Sequence, residues 1–222
     1  MDATLKIGGS LAEEPERLRA LCRELGEIAK NHRITAVPGG GRFADVVREL
    51  DERFHLHDNV AHNMAILAMD QYGMFLSSIT PGSRTTCTLD GARRHSEVGL
   101  LPILLPSRMM SRADPLPHSW EVTSDSITAY IAGELGSEKL LLVTDVDGVY
   151  TGDPKNDPAA ELIEEISVAD LSKRGVRTSV DVYLSKIISK ATLDCYVVNG
   201  RYPERVRAIL DNELPRCTRI RD

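Results

Sequence analysis

The chain contains no cysteine pair at CxxC spacing: its four cysteines, Cys22, Cys87, Cys195 and Cys217, lie far apart. That argues against a zinc ribbon, and a chain of 222 residues does not need a disulfide framework. Positive charge is also scarce, with 27 Lys and Arg against 33 Asp and Glu, a formal net charge of −6. Proteins that bind nucleic acid or membrane surfaces broadly carry the opposite balance, so neither partner is expected. No apolar run approaches the roughly eighteen residues of a membrane span, and the first residues do not form a basic segment ahead of an apolar signal core. The expectation is a soluble cytoplasmic protein. The P-loop pattern G-x-x-x-x-G-K-[ST] is missing, and so are the H-R-D and D-F-G signatures of protein kinases. No repeat, low-complexity tract or flexible linker interrupts the chain.

What is present is enough apolar residue, 42%, to bury a sizeable core. Ala3 to Ile7 reads as a strand. Glu13 to Asn31 follows with Leu18, Leu21, Leu25 and Ile28 at helical spacing and acidic residues at its start. Arg33 to Val37 is a second strand closed by Pro38. Gly41 to Phe54 and Val60 to Ser77 read as helices. Thr80 to Val98 is polar and predicts a short strand or a loop, Leu100 to Leu105 a buried strand, and Arg108 to His118 a loop or short helix. A helix from Ser124 to about Leu135 precedes an apolar strand, Lys139 to Thr144, that Asp145 to Tyr150 continues after a turn. An exposed loop over 152–158, a strand Leu162 to Ile166, a helix Val182 to Thr192, a strand Cys195 to Val198 and a helix Pro203 to Leu210 complete the pass. The strand–helix alternation predicts an α/β fold with a mostly parallel sheet.

Two glycine turns organise this pattern: Lys6-Ile7-Gly8-Gly9-Ser10 and Pro38-Gly39-Gly40-Gly41, each where a strand gives way to a helix. Such turns gather backbone N–H groups and the positive end of a helix dipole, which suits phosphate oxygens. Lys6 adds a cation able to neutralise a transferring phosphoryl group. Gly39-Gly40-Gly41-Arg42-Phe43-Ala44 also fits the G-x-G-x-x-A dinucleotide fingerprint, but the next segment reads as helix, so the second strand of that motif does not arrive. Taken singly, each feature has a structural explanation. Glycine is common at strand ends, Asp125 can cap a helix, Asp-Gly at 147–148 can be a turn, and Lys186 can be a surface lysine. Together they fall at strand ends and helix starts, the edge where α/β sheets hold ligands.

Lys6-Ile-Gly-Gly-Ser10, Pro38-Gly-Gly-Gly41, Thr123-Ser-Asp125, Thr144-Asp-Val-Asp-Gly-Val-Tyr150 and Lys186 occur in an order that resembles the amino acid kinase family over nearly the whole chain. The resemblance implies one domain over 1–222, a three-layer αβα sandwich around a mostly parallel sheet of about eight strands. Its N-terminal half would bind the phosphoryl acceptor and its C-terminal half ATP. It implies catalytic roles for Lys6, Asp125 and Lys186, with Asp125 holding the two lysines by ion pairing. Gly8, Gly9, Ser10, Gly39, Gly40 and Gly41 would surround the phosphates. Thr144, Asp145, Asp147, Gly148 and Tyr150 would form the ATP site. Mg²⁺ would ride on the phosphates, without a dedicated protein metal site. Members of the family are generally homo-oligomers.

Within the family, Gly-Gly-Gly followed by Arg42 to Arg48 and then Asp58 to Gly73 resembles the branch that phosphorylates an aminomethylfuran phosphate in methanofuran biosynthesis. Uridylate kinases are the nearer rivals in length. The histidine that isopentenyl phosphate kinases carry shortly after the triple glycine is missing here. A non-catalytic storage or regulatory protein is a further alternative, against which both lysines count. An acceptor bearing ammonium, ring and phosphate needs a carboxylate, an apolar or aromatic wall and cations. Arg42, Asp45 and Arg48 share one helix face beside Phe43. Arg42 or Arg48 is expected to meet the phosphate, and Asp45 or Asp58 the ammonium. The competing reading is an intrahelical Asp45–Arg48 pair on a solvated face. His62 reads more readily as a packed interface residue than as a catalyst.

Overall fold

A computed structural model describes residues 1–154, 156–174, 179–191 and 193–221. In chain order the elements are β1 (Ala3–Ile7), a 3₁₀ turn (Gly9–Glu13), α1 (Pro15–Ile28), β2 (Ile34–Pro38), α2 (Gly41–Phe54), α3 (Asp58–Ile79), β3 (Ser83–Thr86), α4 (Leu89–Glu97), β4 (Leu101–Leu104), α5 (Ser107–Ala113), α6 (Ser124–Leu135) and β5 (Lys139–Thr144). Then follow β6 (Val149–Tyr150), β7 (Leu162–Ile163), β8 (Glu165–Ser167), α7 (Val168–Lys173), α8 (Leu184–Ala191), β9 (Asp194–Asn199), α9 (Pro203–Leu210) and β10 (Thr218–Arg221). Among the described residues, eight strands form one sheet in the order β3-β4-β2-β1-β5-β9-β10-β8, parallel except where β10 runs against β9. Helices cover both of its faces. The expected α/β sandwich with a mostly parallel sheet of eight strands is what the chain forms.

Strand periodicity assigns the two faces. Ala3, Leu5 and Ile7 of β1 and Leu141 and Val143 of β5 share a core with Leu18, Leu21 and Leu25 of α1 and Val206 and Ile209 of α9. Leu140 and Leu142 point the other way, toward Ala129 and Ala132 of α6 and Leu184 and Ile188 of α8. A third cluster joins α3, α4 and α6 through Ile66, Met69, Ala92, Ile127 and Ile131. The same alternation turns Lys6 away from Leu5 and Ile7, onto the face that α6 covers. β1 lies between β2 and β5, with Lys6 opposite Val37 and Leu142 and Ile7 opposite Pro38 and Val143. Both glycine turns and Thr144 therefore leave the sheet at one edge.

Several elements depart from expectation. The polar stretch 80–98 holds both β3 and the helix α4, whose buried side is made of Gly91, Ala92 and Ser96. Such small residues give almost no apolar periodicity. The strand expected over 162–166 is two strands in different sheets: β7 pairs with β6 in a two-stranded ribbon, and β8 joins the main sheet beside β10. The residues after Thr144 accordingly turn away from the sheet into that ribbon and do not extend β5. Helix α7 and strand β10 had no counterpart in the sequence reading. The expected end of α8 at Thr192 and part of the 152–158 loop, Lys155, lie outside the described residues. No helix among the described residues is long and apolar enough to cross a membrane.

Candidate active site

A cavity of about 690 Å³ opens at the carboxyl edge of the sheet, and Lys6, Gly8, Gly9, Gly40, Gly41 and Asp125 line its centre. The two glycine turns touch through their backbones. A Cβ on Gly9 would lie 2.1 Å from Gly41 Cα, so no side chain fits at that position. Gly41 itself has φ +53°, a left-handed conformation that glycine adopts without strain. Gly9 starts the 3₁₀ turn and Gly40 and Gly41 start α2, where N–H groups have no intrahelical acceptor, and all three residues line the cavity. Gly8 and Gly39 differ. Their N–H groups already donate to Val143 O and Ile7 O, each at 2.8 Å, so neither is available to a phosphate as expected. Gly39 is also absent from the described lining, whereas Gly8 and Ser10 contribute to it.

Lys6 is buried, and its Nζ lies 2.9 Å from Asp125 Oδ1. Asp125 sits in the first turn of α6, whose N-cap Thr123 accepts the Asp125 N–H through its side chain. Behind this pair lies a residue that the sequence reading missed. Asp181, 4% exposed, accepts hydrogen bonds from Thr123 N (2.8 Å) and Oγ1 (2.9 Å), Ser126 N (3.0 Å) and Oγ (2.6 Å), and Leu184 N (2.8 Å). Its own N–H donates to Asp125 Oδ2 at 3.1 Å. One buried carboxylate thus satisfies donors at the starts of both α6 and α8, while the backbone N–H of the same residue holds the carboxylate that pairs with Lys6. Burial and the adjacent Asp125 charge push the Asp181 carboxyl above its ordinary range, with the hydrogen bonds from Ser126 and Thr123 pulling against them.

Toward the C-terminal half, Thr144, Asp145, Gly148 and Tyr150 line the cavity, as do Asp153 and Arg174. Ser10 Oγ donates to Asp145 Oδ1 at 3.1 Å, joining the first glycine turn to this wall. Arg174 donates to the Tyr150 carbonyl at 3.1 Å and brings a cation that the sequence reading did not single out. Asp147, expected in the ATP site, accepts through its carboxylate from Asn199 Nδ2 (2.9 Å), Arg205 (2.7 Å) and Arg216 (2.7 Å), which fix the loop, and it is not among the described lining residues. Burial raises its pKa, but these three hydrogen bonds outweigh that and hold it below the ordinary value. Lys186, expected as the second catalytic lysine, is exposed in the first turn of α8, with Nζ 4.7 Å from the Tyr183 ring centroid, and is not among the described lining residues.

On the opposite side the cavity is walled by α2 and α3 and by residues 120–127. Arg42, Asp45 and Arg48 all line it. Arg42 is held by Glu13 through two hydrogen bonds of 2.8 and 2.6 Å, and Arg48 by Asp45 at 2.9 Å, the intrahelical pair considered as the competing reading. Asp58, the exposed first residue of α3, and Phe43, 41% exposed, lie outside the described lining. The apolar floor here is Ile66, Met69, Val122 and Ile127, with Trp120 and His62 at the rim. Burial and the neighbouring His118 lower the His62 pKa and favour its neutral form. Among the described residues, no group of three or more His, Cys, Asp and Glu is placed to hold a metal ion.

The family model for the amino acid kinase family matches residues 4–199. The chain belongs to the amino acid kinase family. A [5-(aminomethyl)furan-3-yl]methyl phosphate kinase of Methanocaldococcus jannaschii is 36% identical over 218 residues, 97% of this chain and 96% of that protein. A uridylate kinase of Thermofilum pendens is 28% identical over 235 residues, 95% of this chain and 94% of its own. The crystal structure of a uridylate kinase from Archaeoglobus fulgidus superposes with a TM-score of 0.77 at 24% identity, covering 99% and 100% of the two chains. That last likeness concerns the amino acid kinase fold alone.

Proposed function

We propose that this protein is an ATP-dependent small-molecule kinase that converts a phosphate monoester to a diphosphate, with [5-(aminomethyl)furan-3-yl]methyl phosphate as the acceptor. The observation that carries the reading is the buried Lys6–Asp125 pair set between two helix starts at the centre of one cavity. An oxygen of the acceptor phosphate attacks the γ-phosphorus of ATP, the bond from that phosphorus to the β,γ-bridging oxygen breaks, and ADP leaves. The attacking oxygen is already anionic, so no general base is required. Positioning and charge neutralisation suffice. Lys6 compensates charge on the transferring group, Asp125 orients Lys6, and Gly9, Ser10, Gly40 and Gly41 supply donors around the phosphates. ATP occupies the side lined by Thr144, Asp145, Gly148 and Tyr150, and Mg²⁺ would be carried on its phosphates, where it would neutralise their charge. The acceptor lies against α2 and α3, toward Arg42, Asp45 and Arg48.

The 36% relative supports the furan phosphate as acceptor, and the missing excess of positive charge agrees with a small-molecule substrate. The reading includes a cytoplasmic homo-oligomer. Val60, Leu67 and Met74 recur every seven residues along α3 and are 42%, 52% and 62% exposed, a stripe suited to a second copy of this chain. The test is Mg-ATP-dependent ADP release with the furan phosphate, UMP and isopentenyl phosphate in parallel. Turnover with the furan phosphate supports the reading. Turnover confined to UMP keeps the chemistry and replaces the acceptor, and ATP binding without any turnover favours a storage or regulatory role.

A further inference from the structure

The segment after α5 forms a strap across the acceptor side of the cavity. Leu116 and Val122 are buried with α3 and α6 residues. His118 stacks on His62 with ring centroids 4.4 Å apart and an interplanar angle of 20°, while its Nε2 lies 2.7 Å from Asp114 Oδ1. Trp120 Nε1 donates to Asp51 Oδ2 at 2.7 Å, and the Arg48 guanidinium lies 4.8 Å from the Trp120 ring centroid. Residues 116, 118, 120 and 122 therefore anchor the strap at alternate positions, and three residues beyond Val122 stands Asp125. Trp120 belongs to none of the three core clusters among the described residues, yet its ring is fixed by two contacts and lines the cavity. A large ring held rigidly, outside the core and beside an apolar floor, is a surface prepared for a ligand.

We propose that Trp120, pinned by Asp51 and Arg48, is the specificity wall of the acceptor site and selects a phosphate ester carrying a flat aromatic ring. The proposal rests on the kinase reading for the orientation of the cavity and adds the group that recognises the body of the acceptor. The acceptor's ring stacks on the indole within the cavity that Ile66 and Met69 also line, and its phosphate points toward Lys6. An aliphatic phosphate could fill the apolar floor but would gain no stacking from the indole.

Trp120 is the single tryptophan of the chain, so its emission reports on this wall alone. The intact protein, loaded with a non-hydrolysable ATP analogue, is titrated with [5-(aminomethyl)furan-3-yl]methyl phosphate, UMP, isopentenyl phosphate and inorganic phosphate. The expected result is a saturable emission change with a ring-bearing ester and none with the last two probes. In steady-state kinetics Trp120→Ala raises the acceptor KM about tenfold or more and leaves the ATP KM within about twofold, while Trp120→Phe recovers most of the loss. Equal emission changes with isopentenyl phosphate or inorganic phosphate overturn the proposal, as does an unchanged acceptor KM in Trp120→Ala. The two readings fail separately. Ring-dependent emission without turnover keeps the wall and removes the kinase, whereas wild-type turnover indifferent to Trp120→Ala keeps the kinase and removes the wall.

Discussion

Replacing Asp181 by Asn tests whether one buried carboxylate joins the starts of α6 and α8 and so positions the backbone N–H that holds Asp125 against Lys6. The carboxylate accepts five hydrogen bonds, three of them from backbone N–H groups. Asn offers one acceptor oxygen, and its NH₂ then faces donors. The hydroxyls of Thr123 and Ser126 can turn to accept from it, but a backbone N–H cannot. If the NH₂ takes the Oδ1 place, Leu184 N–H loses its partner, and the bonds that remain lose the carboxylate charge. An orphaned buried donor costs about 1–3 kcal/mol, and the charge-assisted bonds that are weakened are offset by the relieved burial of a charge, so the variant should lose about 1–3 kcal/mol. That is a large share of the roughly 5–15 kcal/mol of a typical domain. Because burial raises the folded pKa of Asp181, wild-type stability falls as pH rises from the ordinary carboxylate value through the raised one. The gap to Asn is therefore widest in acid and narrows upward. Urea denaturation followed by Trp120 emission gives the difference, and kinetics give the rest: kcat down about tenfold or more, with both KM values within about threefold. A stability loss below about 0.5 kcal/mol together with an unchanged kcat would refute the reasoning.

Lys6→Ala should lower kcat by about 10²-fold or more with little change in ATP affinity, read by ADP release and by equilibrium nucleotide binding. Gly9→Ala places a Cβ 2.1 Å from Gly41 Cα and must push the two turns apart, costing about 1–3 kcal/mol and most of the activity; a melting curve and a rate that both match wild type would contradict this. Asp147→Asn should cost about 1–3 kcal/mol at neutral pH, measured by chemical denaturation. Since the folded pKa of Asp147 is depressed, that contribution is present above the ordinary carboxylate value and disappears as pH falls through the depressed one. Leu67→Asp, on the exposed stripe of α3, should shift sedimentation toward a smaller species if copies of the chain associate there.

The fold was legible where the chain repeats a strong signal. The short apolar strands β1 and β5 and the two glycine turns place Lys6, Gly9, Gly41 and Thr144 at one sheet edge from the sequence alone. The reading weakened where signals are short or small. Helix α4 buries Gly91, Ala92 and Ser96, which leave no apolar stripe, although its N-cap Thr88 was present in the sequence. Strand β10 is four residues long and enters the sheet against β9, a pairing fixed only by tertiary structure. Motif order alone could not say which way a side chain turns. Asp145 and Asp147 are two apart, yet Asp145 lines the cavity while Asp147 binds Arg205 and Arg216. Lys186 follows Asp181 by five residues and points outward, over Tyr183. Asp181 and Trp120 escaped notice because neither belongs to a spaced motif. Their partners, Ser126 and Asp51, lie 55 and 69 residues away along the chain.

The central claim is transfer of the γ-phosphoryl group to a phosphate oxygen of the acceptor. Phosphorus-31 NMR of the intact protein with Mg-ATP and [5-(aminomethyl)furan-3-yl]methyl phosphate tests it most directly. The account predicts loss of the monoester singlet and growth of two coupled doublets of a new diphosphate, in step with ADP and abolished in Lys6→Ala. Inorganic phosphate as the sole new signal, or an unchanged monoester in the presence of ADP formation, would contradict it.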